Sequence, residues 1–289
     1  MLIKPLKCPV CHGQRSPTVG LSFSLPADTF PLLGNINHPL SAQCGCGHRF
    51  EIVAPRDAMM LSDNPFMRLG AASNHCESGN VEVEVGRSTL IRFKRPFDFP
   101  CRAFISPMSS TYRGSVFAKE VFLMKQEMLI LTSAGGPRPL DGERITINYF
   151  VYGLVDINTL KNWEVLLYSG IANQQNDFFK PALMDYAISF EAFVEMFLAR
   201  KLSETYNADV SEYLLRKTSS IEGRCKELLE LATGHRLSEQ NDVYQPWDLS
   251  VRTPRNHLAH GEILPVGRQE CEIAYQAVYQ AVRWIQELK

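Results

Sequence analysis

The chain has 289 residues, 45% of them hydrophobic and 21% charged, and its 30 Lys and Arg against 31 Asp and Glu leave a formal net charge of -1. A chain of this length can bury a substantial core without staples and divides into two or three compact units. The balanced charge excludes a binder that neutralises nucleic acid over its whole surface, because such binders carry a large excess of Lys and Arg.

The opening residues, MLIKPLKCPVCHG, hold no apolar run of signal-peptide length, and no stretch approaches 18 consecutive apolar residues. A soluble, cytoplasmic protein with no membrane partner is expected. Residues 1–55 are rich in Pro, Gly and paired Cys, as in a small unit held by a metal instead of a core. Cys8-Pro-Val-Cys11 and Cys44-Gly-Cys46-Gly-His48 supply two pairs of soft ligands, enough for a tetrahedral Zn²⁺. Cys8, Cys11, Cys44 and Cys46 are the candidate ligands. The second pair is one residue short of the usual knuckle spacing, so His48 is an alternative ligand there. A redox Cys-x-x-Cys belongs between a strand and a helix start, whereas this one lies among prolines with no helical period after it. The segment resembles a zinc ribbon, and with every ligand a side chain the zinc is structural. Cys76, Cys101, Cys225 and Cys271 are scattered singly, which fits a reduced compartment.

Residues 56–157 are expected to form a β-rich, sandwich-like domain. Residues 56–79 have no decided pattern and read as a connector. Val81, Val83 and Val85 then alternate, followed by TLIRF, RAFI, VFLM, MLIL and ITINYFVYGLV. Ser78-Gly79-Asn80, Gly135-Gly136-Pro137 and Asp141-Gly142 read as turns between them. Lys94, Arg95 and Arg102 are candidates for holding this domain on RNA or a partner.

Residues 158–289 change to the helical period and are expected to form an all-α bundle. Leu183, Ala187, Phe190, Val194, Phe197 and Leu198 make one apolar stripe. Ser219-Ser220-Ile221-Glu222 reads as a capping box opening a helix that Gly234 ends. Ile273, Ala277, Ala281, Trp284 and Ile285 mark a closing helix. Between these lies Thr253-Pro254-Arg255-Asn256-His257-Leu258-Ala259-His260-Gly261, in which Thr253 reads as an N-cap, Pro254 as the first helical residue and Gly261 as the stop. Asn256 and His260 then share a face, while Arg255 and His260 lie about 140° apart around the helix.

Arg255-Asn256 followed by His260 resembles the Arg-x(4–6)-His motif of the HEPN superfamily, and the resemblance covers roughly residues 160–289. It includes an acidic residue, Glu191, inside the apolar stripe and the Ile-x-x-Arg pattern from Ile221 to Arg224. The resemblance implies a metal-independent endoribonuclease, a homodimer whose motifs meet across the interface, and a place in prokaryotic defence or toxin systems with an antitoxin or defence-system partner. The chemistry agrees. Cleaving RNA without a metal needs a group of near-neutral pKa for proton transfer and a cation for charge developing on phosphate. His260 suits the first task and the planar Arg255 the second. Asn256 orients His260 or binds a phosphate oxygen, and Glu191 pre-positions Arg255. The competing reading is a non-catalytic adaptor that binds RNA or dimerises.

Overall fold

The protein is described by a computed structural model over residues 40–43, 49–52, 59–60, 65–107, 115–135, 143–262 and 264–288. It divides into two compact units, Met1–Ile157 and Asn158–Lys289.

In the first unit, strands β1 (Leu40–Gln43) and β2 (Arg49–Ile52) pair antiparallel. Part of the expected connector is a helix, α1 (Pro65–Ala72), because Leu69 and Ala71 are fully buried and anchor it. Six further strands follow: β3 (His75–Glu84), β4 (Ser88–Arg92), β5 (Phe99–Pro107), β6 (Ser115–Leu123), β7 (Glu127–Gly135) and β8 (Arg144–Leu154). They form two antiparallel sheets, ordered β3-β8-β5 and β4-β7-β6. Val83, Ile91, Phe97, Met128, Ile130, Ile147 and Val151 belong to one buried cluster.

The Ser78-Gly79-Asn80 turn does not form, and β3 runs through it paired with β8. The ring of Tyr149 explains the glycine: its hydroxyl lies 2.8 Å from where a Cβ of Gly79 would stand. The glycine serves a close approach within the sheet and not a reversal.

In the second unit, α2 (Asn162–Gln175) and the long α3 (Phe179–Thr205) form an antiparallel hairpin. Tyr186 of α3 donates its hydroxyl to Gln174 at 2.6 Å, and Ser189 donates to the Trp163 carbonyl at 2.8 Å. Leu183, Ala187, Phe190, Val194, Phe197 and Leu198 are all buried. Next come α4 (Ala208–Lys217), α5 (Ile221–Gly223), a π turn (Arg224–Leu228) and α6 (Leu229–Thr233), which ends at left-handed Gly234, φ 76°. Helix α7 (Asn241–Trp247) runs through a second π turn (Asp248–Arg252) into α8 (Thr253–Ala259), and α9 (Arg268–Gln286) closes the chain.

The expected architecture of zinc-ribbon-like unit, β-sandwich-like domain and all-α HEPN-like bundle is therefore corrected. The described fold is mixed, two small three-stranded sheets and a run of helices, with neither a clear β-sandwich nor a regular C-terminal bundle. Register shifts between Pro100 and Arg102 and between Ala118 and Glu120 interrupt the outer ladders, and such bulges bend strands and limit pairing. Among the helices, Pro246 inside α7, the two π turns and the stop at Gly234 break what would be long bundle elements into short pieces.

Three local expectations change with it. Ser220 is the cap of α5, accepting from the Gly223 amide at 3.1 Å, while Glu222 turns away to basic partners. Thr253 caps nothing: α8 continues a helix through the π turn, which accommodates the missing amide of Pro254. On α9 the expected Ala277, Ala281 and Ile285 are buried, together with Ala274, Tyr275, Val278 and Val282, but Ile273 is 48% exposed. Among the described residues no helix is long and apolar enough to cross a membrane.

Candidate functional site

Helix α8 carries the motif, and its neighbours decide what each residue does. Phe190 of α3 lies against Trp247 at a ring separation of 5.0 Å, and Tyr244 against the same indole at 5.7 Å. This apolar seam holds the end of α7 on α3, so the chain emerging from it passes Glu191. Arg255 then meets Glu191, its terminal nitrogen lying 3.3 Å and 3.4 Å from the two carboxylate oxygens. A second guanidinium nitrogen donates to Asn256 Oδ1 at 3.3 Å. The Nε of Arg255 is buried with no partner. Arg255 and Glu191 side chains are each 31% exposed, and a pair so open to water contributes little stability. Its effect is to aim the guanidinium.

The structure thus brings Glu191, Arg255 and Asn256 into one hydrogen-bonded group. His260 is not part of it: it ends α8 with its side chain exposed, its amide donating to the Asn256 carbonyl at 3.0 Å. Gly261, at φ 79°, turns the chain back, and the Glu262 amide donates to the His257 carbonyl at 2.9 Å. That return places the Glu262 carboxylate 2.6 Å from His257 Nδ1.

A second cluster lies beside the motif and was not legible in the sequence. Arg252, in the π turn before α8, is bonded to Asp248 and reaches Glu222 at 3.1 Å. Lys226, in the other π turn, bonds Glu222 and lies over the Tyr244 ring at 5.8 Å. The Lys226 hydrogen bond holds the Glu222 carboxyl below its ordinary range, with burial opposing and Arg252 adding to it. These ion pairs tie the two π turns together. A 3.6-residue period cannot predict them, because a π turn shifts every later side chain around the axis. Arg224 of the Ile-x-x-Arg pattern is structural: it donates to the carbonyls of Thr218 at 3.0 Å and Leu215 at 3.3 Å and pairs with Glu195 at 2.9 Å.

Cys76, Cys101, Cys225 and Cys271 are all buried and form no disulfide. Burial pushes the Cys225 thiol far up and that of Cys76 to about 12, so neither is a nucleophile at neutral pH. In the first unit, Arg95 pairs with Asp156, and the Lys94 amide donates to both oxygens of buried Glu77 at 3.0 and 2.9 Å.

Cys8, Cys11, Cys44, Cys46 and His48 lie outside the described residues. Within them, no cluster of three or more His, Cys, Asp or Glu could hold a metal ion. Strands β1 and β2, which flank Cys44 and Cys46 in the chain, pair as a hairpin. No protein-family model, curated protein or solved structure matches the chain.

Proposed function

We propose that the helical unit is a HEPN-type, metal-independent endoribonuclease, acting as a cytoplasmic homodimer in prokaryotic defence or toxin systems. The observation that carries this reading is the Glu191–Arg255–Asn256 group, which joins three of the four proposed site residues across 64 positions of sequence. Glu191 holds Arg255 as a fork for a phosphate. Asn256 accepts from Arg255 through Oδ1, which leaves its amide NH₂ to reach a phosphate oxygen. His260, exposed at the end of α8, exchanges the proton. The product is a 2′,3′-cyclic phosphate. The helical unit carries more carboxylates than Lys and Arg, so RNA is engaged at a local cleft and not over a broad basic surface.

Arg255 and His260 point about 140° apart on one helix, so the dimer completes the site by setting the Arg of one protomer near the His of its partner. Leu249, 70% exposed in the π turn before α8, supplies apolar surface for that contact. The two N-terminal cysteine pairs are proposed to hold one structural Zn²⁺, with the β1–β2 hairpin supporting a ribbon-like segment.

The test is incubation of the full chain with total RNA, with and without chelator. Cleavage is expected in both, and His260→Ala or Arg255→Ala should abolish it while changing stability by no more than about 1 kcal/mol. Intact cleavage by His260→Ala would show the motif to be structural. The second reading, a non-catalytic RNA-binding or dimerising adaptor, is favoured by one feature: Arg255 is already engaged by Glu191 and Asn256. RNA retention without cleavage by the wild type is its signature.

A further inference from the structure

Cleavage by the 2′-hydroxyl moves two protons in one displacement, one off the nucleophile and one onto the leaving oxygen. A single imidazole cannot stand at both ends of an in-line attack, so His260 alone leaves one position unfilled. The Glu262 carboxylate lies 2.6 Å from His257 Nδ1. This placement is built by the backbone: Gly261 takes φ 79°, a left-handed turn that any side chain would strain, and the Glu262 amide closes it onto the His257 carbonyl at 2.9 Å. An ionised carboxylate only accepts, so Nδ1 carries the proton and Nε2 is left as a base. The His257 side chain is 42% exposed, open to a substrate. At about 100° per residue, His257 and His260 lie only about 60° apart, both turned away from Arg255.

We propose that His257, oriented by Glu262, is the general base of the same site and His260 its general acid, acting on a ribonucleotide phosphodiester. This rests on the ribonuclease reading. His257 Nε2 takes the proton of the 2′-hydroxyl, and the freed oxygen lone pair forms the bond to phosphorus. The bond from phosphorus to the 5′-oxygen breaks, and that oxygen takes a proton from the His260 imidazolium. The products are a 2′,3′-cyclic phosphate and a 5′-hydroxyl, with His257 left one proton richer, His260 one proton poorer, and no external reactant. Glu262 is a positioning residue.

The experiment compares total RNA with ribonucleoside 3′-(4-nitrophenyl) phosphates, one for each base, whose leaving group needs no proton. His260→Ala should lose RNA cleavage but keep cleavage of the nitrophenyl esters. His257→Ala should lose both, by roughly 10²–10⁴-fold. Glu262→Gln should lower kcat on both while leaving KM unchanged, which a merely structural loss would not do. If His257→Ala unfolds, His257→Gln carries the same comparison. Wild-type rates in a folded His257 variant, or rescue of that variant by the nitrophenyl esters, would overturn the assignment while the ribonuclease reading stands. A wild type that cleaves no RNA would overturn both.

Discussion

His75 shows how one half-buried ring makes a unit sensitive to pH. It opens β3 with its ring 5.1 Å from Phe97, and its Nε2 is buried without a partner. Burial first, and Arg95 second, lower its pKa from 6.5, with Glu77 opposing. The sign follows from proton linkage. Above 6.5 neither folded nor unfolded chain binds the proton. As pH falls through 6.5 the unfolded chain takes it up and the folded one resists, so stability falls until the lowered folded value is passed. Denaturant midpoints of the first unit should therefore be lower just below pH 6.5 than above it, and His75→Phe should reduce that difference. An unchanged pH dependence in the variant would assign it to other groups. At this scale the sequence was legible for residue types but for few of their partners. Glu191 and Arg255 were paired by analogy with a family, whereas the Glu262–His257 contact needed a backbone reversal to become visible.

The α2–α3 hairpin depends on one missing side chain. A Cβ on Gly170 would lie 2.5 Å from two ring atoms of Tyr186 and 3.2 Å from the Ala182 carbonyl. Tyr186 is fully buried, packed against Tyr275 at 5.5 Å and bonded to Gln174, so its ring has nowhere to retreat. Gly170→Ala, favourable for an isolated helix, should here destabilise the second unit by about 1–3 kcal/mol through overpacking. Chemical denaturation with the shift in midpoint checks this, and a stabilised variant would refute the close approach. Helix α3 was readable because its apolar residues recur at spacings of three and four from Leu183 to Leu198, and each of these is buried. The α9 stripe was read correctly at Ala277, Ala281 and Ile285 but not at Ile273, because Ala274 and Tyr275 carry the contact that Ile273 promised by hydrophobicity alone.

For the whole molecule the zinc reading makes a separate prediction. Full-length chain purified without added metal should contain about one Zn²⁺, and Cys8→Ser or Cys46→Ser should lower that content and expose residues 1–55 to protease. RNA cleavage by the second unit should persist after mild chelation. A metal-free chain with every thiol reactive would defeat the proposal. Sequence alone determined the features whose cause is local: the cysteine spacing, the period of α3, the glycine stops at 234 and 261, and the charge balance that excludes a broadly basic surface. Tertiary structure decided the rest. It carried β3 through Gly79, because Tyr149 fills the space above it. It replaced the Thr253 cap with a π turn, tied to the neighbouring helix by Arg252 and Glu222. It also separated the sheets into three strands each and set Arg255 against Glu191. A local pattern constrains only the few bonds nearest to it, and these outcomes depend on side chains that distant segments bring into contact.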